Sequence, residues 1–256
     1  RQLFRGMGKS AFGAGIKAGG PNYVAEFMDF AAAAGNGDPT AGPPSDPLLQ
    51  ALCDGLNGTV VAAGHPLARD LAAVIRAAGS YALHHQDEFG RSHDHFKLVG
   101  QDNLRRYLPV RDLRIRIHPD DTPFDIFARV CAARTVGCHP TVSTPPGLDS
   151  PALALLEQMT ESWAAAIEFV EETDDELAAA IRAGQADRVR FAHPSRVPLV
   201  AHQAAAAAGV FLASHPVVAE GRLELLWYVE EQSISFDYHR YGNLGVRSEE
   251  ERAEVV

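Results

Sequence analysis

The sequence is poor in cysteine. It has three, Cys53, Cys131 and Cys138, among 256 residues, and no two form a C-x-x-C pair. That excludes a disulfide framework and makes a reducing cytoplasm the expected compartment. A basic excess is missing as well. Lys and Arg number 23 against 33 Asp and Glu, a net charge of −10, so no field draws the chain to nucleic acid or an anionic membrane. Long hydrophobic runs are absent. The longest, Ala204 to Ala213, falls far short of the roughly 20 residues that span a bilayer. Neither an internal repeat nor a secretory pattern is visible. The first residue is Arg1 rather than Met, and a glycine-dense loop follows at once with no element ahead of it. The chain therefore reads as a piece that begins inside a larger domain.

What is present is globular: 46% hydrophobic and 22% charged residues, enough for one or two domains. The densest signal runs from Phe4 to Phe27, where Gly6, Gly8, Gly13, Gly15, Gly19 and Gly20 crowd into one loop. Such density means positive φ angles or backbone held close to something. From Ala31 to Pro47 the breakers Gly35, Gly37, Pro39, Gly42, Pro43, Pro44 and Pro47 predict a linker and a domain boundary.

Beyond it, Asp46 is a candidate N-cap with Pro47 at the first helical position, followed by Leu48, Leu49 and Leu52. A second helix is predicted from Pro66 through Leu67, Leu71, Val74, Ile75 and Ala78 to Tyr81, one apolar stripe at spacings of three and four. Residues 112–118 alternate strictly, which predicts a strand with one wet face near a sheet edge. A helix opening at Asp121 and ending at Gly137 carries Phe124, Phe127, Val130 and Cys131. Strands at 140–144, 165–169, 188–192 and 210–213 then alternate with helices at 151–159, 174–183 and 197–208. This β-α rhythm predicts an open parallel α/β sheet. A helix is expected over 221–230, and a final strand or arm from Gln232 to Gly242.

Several motifs invite chemistry. Gly13 to Ala18 matches G-x-G-x-x-A but lacks a preceding strand and an acidic residue about 20 positions on, and Gly8-Lys9-Ser10 has Leu3 where a P-loop needs glycine. His84, His85, His93 and His95 gather with Asp87 and Asp94, but their spacing fits no zinc signature, so a solvated polar loop is expected. Cys131 lies in an apolar helical pattern and reads as core, and the adjacency of Cys138 and His139 is a weak nucleophile signal. Tyr238, His239, Arg240 and Tyr241 suit a contact surface, with an edge strand as the equal alternative.

Residues 3–27, LFRGMGKSAFGAGIKAGGPNYVAEF, resemble the C-terminal signature of the pyrroline-5-carboxylate (L-glutamate γ-semialdehyde) dehydrogenases, PFGG…SG.G.KAGGP.Y, with a departure at Arg5. From Gly100 onward the landmarks resemble the extra C-terminal domain of long bifunctional proline utilization A proteins. These are Gly100 to Asn103, Leu108 to Arg111, Ala132 to Val142 and Leu225 to Ser235, with a departure over 237–245. The resemblance implies an α/β fold: the end of an aldehyde dehydrogenase domain (1–30), a linker (31–47), a helical connector (48–99), and a non-catalytic, Rossmann-like open parallel domain with a terminal arm (100–256). It implies that Gly19 and Gly20 hold the α-carboxylate of glutamate semialdehyde, with Phe27 packed on its aliphatic carbons and Phe4 lining the same pocket. It further implies that the catalytic Cys and the NAD-binding fold lie upstream, that FAD belongs to any upstream proline dehydrogenase domain, and that the partners are the rest of the dehydrogenase and further copies in a homo-oligomer. The alternative is a stand-alone α/β binding or scaffold module that assembles with a separate dehydrogenase.

Overall fold

The computed structural model of the chain describes residues 13–30, 42–61, 65–239 and 243–250. Phe4, most of the 31–47 linker, and Arg240 to Gly242 of the terminal motif lie outside them.

Two helices come first, α1 (Pro47–Val61) and α2 (Ala68–His84). Asp46 caps α1 by accepting the Leu49 N–H at 2.9 Å, and its carboxylate is also held by Arg134 at 2.6 Å. The apolar stripe of α2 buries Leu71, Val74, Ala78 and Tyr81, and the helix runs on into a single π turn, His85–Phe89. Strand β1 (Gln101–Pro109) follows, then β2 (Leu113–Arg116), α3 (Pro123–Val136), β3 (Thr141–Thr144), α4 (Pro151–Thr160), β4 (Glu168–Glu171), α5 (Asp174–Arg182), β5 (Arg188–Arg190), α6 (Leu199–Ala208) and β6 (Phe211–Ala213). A short helix α7 (Gly221–Glu224) and a 3-10 turn, Leu225–Tyr228, lead into β7 (Val229–Asp237). The 221–230 helix expected from the sequence is thus one turn plus a 3-10 turn, and Val229 and Glu230 already belong to the last strand.

Five strands form a parallel sheet in the order β4-β3-β2-β5-β6. The chain steps outward from β2 on one side, crosses over, and steps outward on the other, the doubly wound arrangement of nucleotide-binding domains. One face is covered by α3 and α4 through Phe127, Val130, Cys131 and Leu156, with α1 and α2 packed outside α3. The other face is covered by α5 and α6 through Leu177, Ile181, Ala201 and Ala204.

The predicted edge position of the 112–118 strand is wrong. β2 is the middle strand, flanked by β3 and β5. Its arginines look like a wet face in sequence but are covered by carboxylates from beyond β4. Arg114 meets Glu172 at 2.8 Å, and buried Arg116 meets Asp174 at 2.7 Å. The other expected strands and helices are present within a few residues.

The sequence reading missed β1. It pairs antiparallel with β7 over nine residue pairs, from Gln101↔Asp237 to Pro109↔Val229, as a ribbon separate from the main sheet. The ribbon is tied to the α/β body at its base, where the Val110 N–H donates to the Tyr228 carbonyl at 3.0 Å.

A glycine turn gripped by the α/β domain as the candidate functional site

Ala14 and Ile16 of the glycine loop are fully buried and belong to the same hydrophobic core as α1–α4. The backbone between them fits only because Gly15 has φ 74° and no side chain; a Cβ there would stand 3.0 Å from Glu230 Cγ. The loop's carbonyls are then claimed in order. Arg188 donates to Ala14 O at 2.9 Å, and the Glu231 N–H donates to Gly15 O at 2.9 Å.

Past Ile16 the chain makes a tight turn. Gly20 N–H donates to Lys17 O at 3.1 Å, and Gly19, third in the turn, has φ 78°, the value a type II turn requires there. Gly19 is exposed and Gly20 half-buried. A 3-10 helix, Tyr23–Phe27, follows, with the Tyr23 and Phe27 rings edge to face at 5.3 Å. Phe27 is 73% exposed, and Val24 and Met28 are exposed beside it. Gly19 and Gly20 therefore sit between two buried residues, Lys17 and Asn22, and Phe27 lies in the exposed stretch beyond them.

The two ends of the turn meet one side chain. The Glu231 carboxylate is fully buried; one oxygen accepts the Lys17 N–H at 2.5 Å, and the other accepts from the Asn22 side-chain amide. Asn22 also donates to the Tyr107 hydroxyl at 2.6 Å and accepts from Arg222 at 2.5 Å. Tyr107 in turn donates to Glu88 and accepts from Arg105, and Arg105 bonds His95 at 2.9 Å and reaches Glu88 at 2.8 Å. Burial pushes the Glu88 carboxyl pKa up, but the hydrogen bonds from Tyr107 and Arg105 outweigh it and hold it below the ordinary range. The same burial, with the carboxylate beside it, raises the Tyr107 phenol. The cluster joins the glycine loop, the π turn, the ribbon and α7 at one point. None of Asn22, Glu88, Arg105, Tyr107 or Glu231 was picked out from the sequence. The available signal was the inward alternation of Asn103, Arg105 and Tyr107 opposite Glu231.

Beside the loop lies a cleft of about 600 Å³. It opens at the amino ends of β5 and β6 and is lined by Gly13, Gly15, Arg111, Arg182, Arg188 and Glu230. Arg188 is spent on carbonyls: besides Ala14 it serves Trp227 and Val229, both at 3.0 Å. Burial lowers its pKa to about 10.

A dinucleotide would bind at the opposite end, in the crevice past β2 and β5 where the chain reverses direction across the sheet. The residues there do not fit one. The turn after β2 carries Asp120 and Asp121 in place of glycines, and the buried Asp121 carboxylate is already bound by Arg129 and Arg196. Asp125, in the first turn of α3, closes a capping box with Thr122 and also pairs with Arg196 at 3.1 Å. A pyrophosphate would meet two carboxylates where it needs free N–H groups.

The cysteines sit in packed surroundings. Cys131 and Cys138 are fully buried and Cys53 nearly so; burial raises Cys53 to about 11, Cys138 to about 12 and Cys131 well above its usual value. Cys138 Sγ donates to Tyr228 O at 3.3 Å. Among the described residues no group of three or more His, Cys, Asp or Glu could hold a metal ion. His93 and His95 stack at 5.5 Å, and His95, itself exposed, bonds Arg105 at 2.9 Å. The terminal segment folds back on the ribbon. The Tyr238 N–H bonds Gly100 O at 2.9 Å, and the Arg247 guanidinium lies 3.9 Å from the Tyr238 ring centre.

No protein-family model and no curated protein matches the chain. Solved structures do. The proline utilization A (PutA) structure from Corynebacterium freiburgense aligns over 94% of this chain, with a TM-score of 0.57 and 23% identity. The structure of a mutant aldehyde dehydrogenase from Bacillus cereus aligns over 64%, with a TM-score of 0.52 and 15% identity. The chain therefore shares its fold with parts of these two structures. The chain spans 19% of the length of that PutA chain and 36% of that aldehyde dehydrogenase chain.

Proposed function

We propose that this chain is the C-terminal portion of an NAD-dependent L-glutamate γ-semialdehyde dehydrogenase, in a bifunctional proline utilization A protein of the cytoplasm. Residues 1–30 finish the catalytic domain, 31–47 link, 48–99 connect, and 100–256 form an α/β domain without chemistry of its own. Oxidation of the aldehyde, with its NAD and its nucleophilic Cys, and any FAD-dependent proline oxidation, belong to the upstream part. Further copies and the rest of the enzyme are the partners. This chain's contribution is the aldehyde anchor: Gly19 and Gly20 take the substrate α-carboxylate, and Phe27 covers its methylenes, with Phe4 alongside.

The observation that carries the reading is the turn itself. Its ends, Lys17 and Asn22, are fixed to the buried Glu231 of the ribbon, while Gly19 between them and the Phe27 ring beyond them are exposed. A turn held in this way can present backbone N–H groups to a small anion. Gly20→Val in the full-length enzyme is expected to raise the KM for glutamate semialdehyde by about tenfold or more. An unchanged KM would contradict the assignment.

A second reading, a scaffold module assembling with a separate dehydrogenase, draws on the depth to which Ala14 and Ile16 are packed. In it the loop belongs to the module, and Gly20→Val leaves the partner's KM alone.

A further inference from the structure

The turn that holds Gly19 and Gly20 begins at Lys17 and ends at Asn22, and both residues bond the same carboxylate. Glu231 lies more than 200 positions away, on β7, where it faces Tyr107 of β1 in register. We propose that Glu231 is a positioning residue for the substrate carboxylate: its two oxygens staple the ends of the turn and so set the direction of the Gly19–Gly20 backbone between them. The inference rests on the anchor reading above and names the group through which the α/β domain serves that site.

The chemistry of the contact supports a staple rather than general packing. The Glu231 carboxylate takes two N–H donors from the loop, one backbone and one side chain, and a longer contact of 3.5 Å from the Arg105 guanidinium. A buried carboxylate that accepts two such loop bonds holds both donors firmly. Tyr107 and Arg222 complete the Asn22 amide, so that side chain has one orientation that satisfies all its neighbours. Tyr107 is itself fixed by Glu88 and Arg105. The ribbon thus reaches the two ends of the turn through Glu231, with Tyr107 supporting Asn22. Replacing Glu231 by Gln puts an amide N–H₂ opposite one of the two loop donors and removes the charge facing Arg105, so one end of the turn comes loose while size and shape are kept.

The test uses the full-length enzyme and two aldehydes, glutamate semialdehyde and butanal, which lacks the α-carboxylate. Glu231→Gln is expected to raise the KM for the semialdehyde about tenfold, to leave kcat within about twofold, and to leave the KM for butanal unchanged. The double variant Asn22→Asp with Glu231→Gln puts an acceptor opposite the new donor and is expected to recover most of the loss. An unchanged semialdehyde KM, or an equal rise for both aldehydes, overturns the staple. A wild-type enzyme that does not prefer the semialdehyde to butanal overturns the anchor reading instead, and the staple with it. If thermal unfolding shows that Glu231→Gln does not fold, Asn22→Ala, which removes one donor and leaves the carboxylate, is read on the same two KM values.

Discussion

Arg190 and Glu224 are each fully buried, and they meet through two guanidinium nitrogens at 2.8, 3.1 and 3.2 Å. The remaining needs of the pair are met around it. The Tyr228 hydroxyl donates to Glu224 at 2.8 Å, the Val218 N–H at 3.1 Å, and Arg190 donates to His215 O at 2.6 Å. Burial works against the guanidinium charge, but Glu224 and Tyr228 more than offset it and hold the Arg190 pKa above its ordinary value. A buried pair of this kind adds little over an apolar replacement, but losing one partner strands the other. Arg190→Ala is therefore expected to cost about 3–5 kcal/mol in urea unfolding, and Arg190→Met with Glu224→Leu far less. A double variant no more stable than the single one would show that the pair is not the unit.

At the scale of elements, the contact between α2 and α7 depends on a missing side chain. A Cβ on Gly221 would lie 2.6 Å from Ser80 O and 2.8 Å from Tyr81 Cα, both backbone atoms, while its N–H bonds the Ser80 hydroxyl at 3.0 Å. Gly221→Ala is expected to push the two helices apart and to cost about 1–3 kcal/mol, read as a lower urea midpoint; an unshifted midpoint would mean the contact gives way freely. Most elements of the main sheet were legible because their signals are local. Thr122 and Pro123 open α3, Gly137 with φ 88° closes it, and the apolar rhythm fills the middle. The place of β2 was not legible. Its arginines are buried by Glu172 and Asp174, nearly 60 positions on, and strand order is long-range information. β1 was hidden for a related reason. The residues it turns inward include Asn103, Arg105 and Tyr107, and a polar inward face leaves no hydrophobic alternation to read. The candidate site divides the same way. Its glycines stand together in sequence, whereas Glu231 reaches them only through the fold.

For the whole molecule, an acidic chain with a doubly wound sheet has carboxylates and arginines paired off where such sheets bind dinucleotides, and its packing anchors a glycine turn instead. Domains of this topology place ligands past the carboxyl ends of their strands. Here that end is closed by Asp121, Arg129 and Arg196, and the loop docks across the ribbon and the amino ends of β5 and β6. Among the described residues no helix is long and apolar enough to cross a membrane. In the function proposed above, the domain is the mould of a substrate-binding turn, and the chemistry belongs to the upstream part. The most direct measurement is NADH formation by the full-length protein, followed by its absorbance, with glutamate semialdehyde against butanal at equal concentrations. The account predicts saturable NADH formation with the semialdehyde and a kcat/KM at least about tenfold higher than for butanal. No NADH from the semialdehyde, or equal rates with both aldehydes, would contradict it.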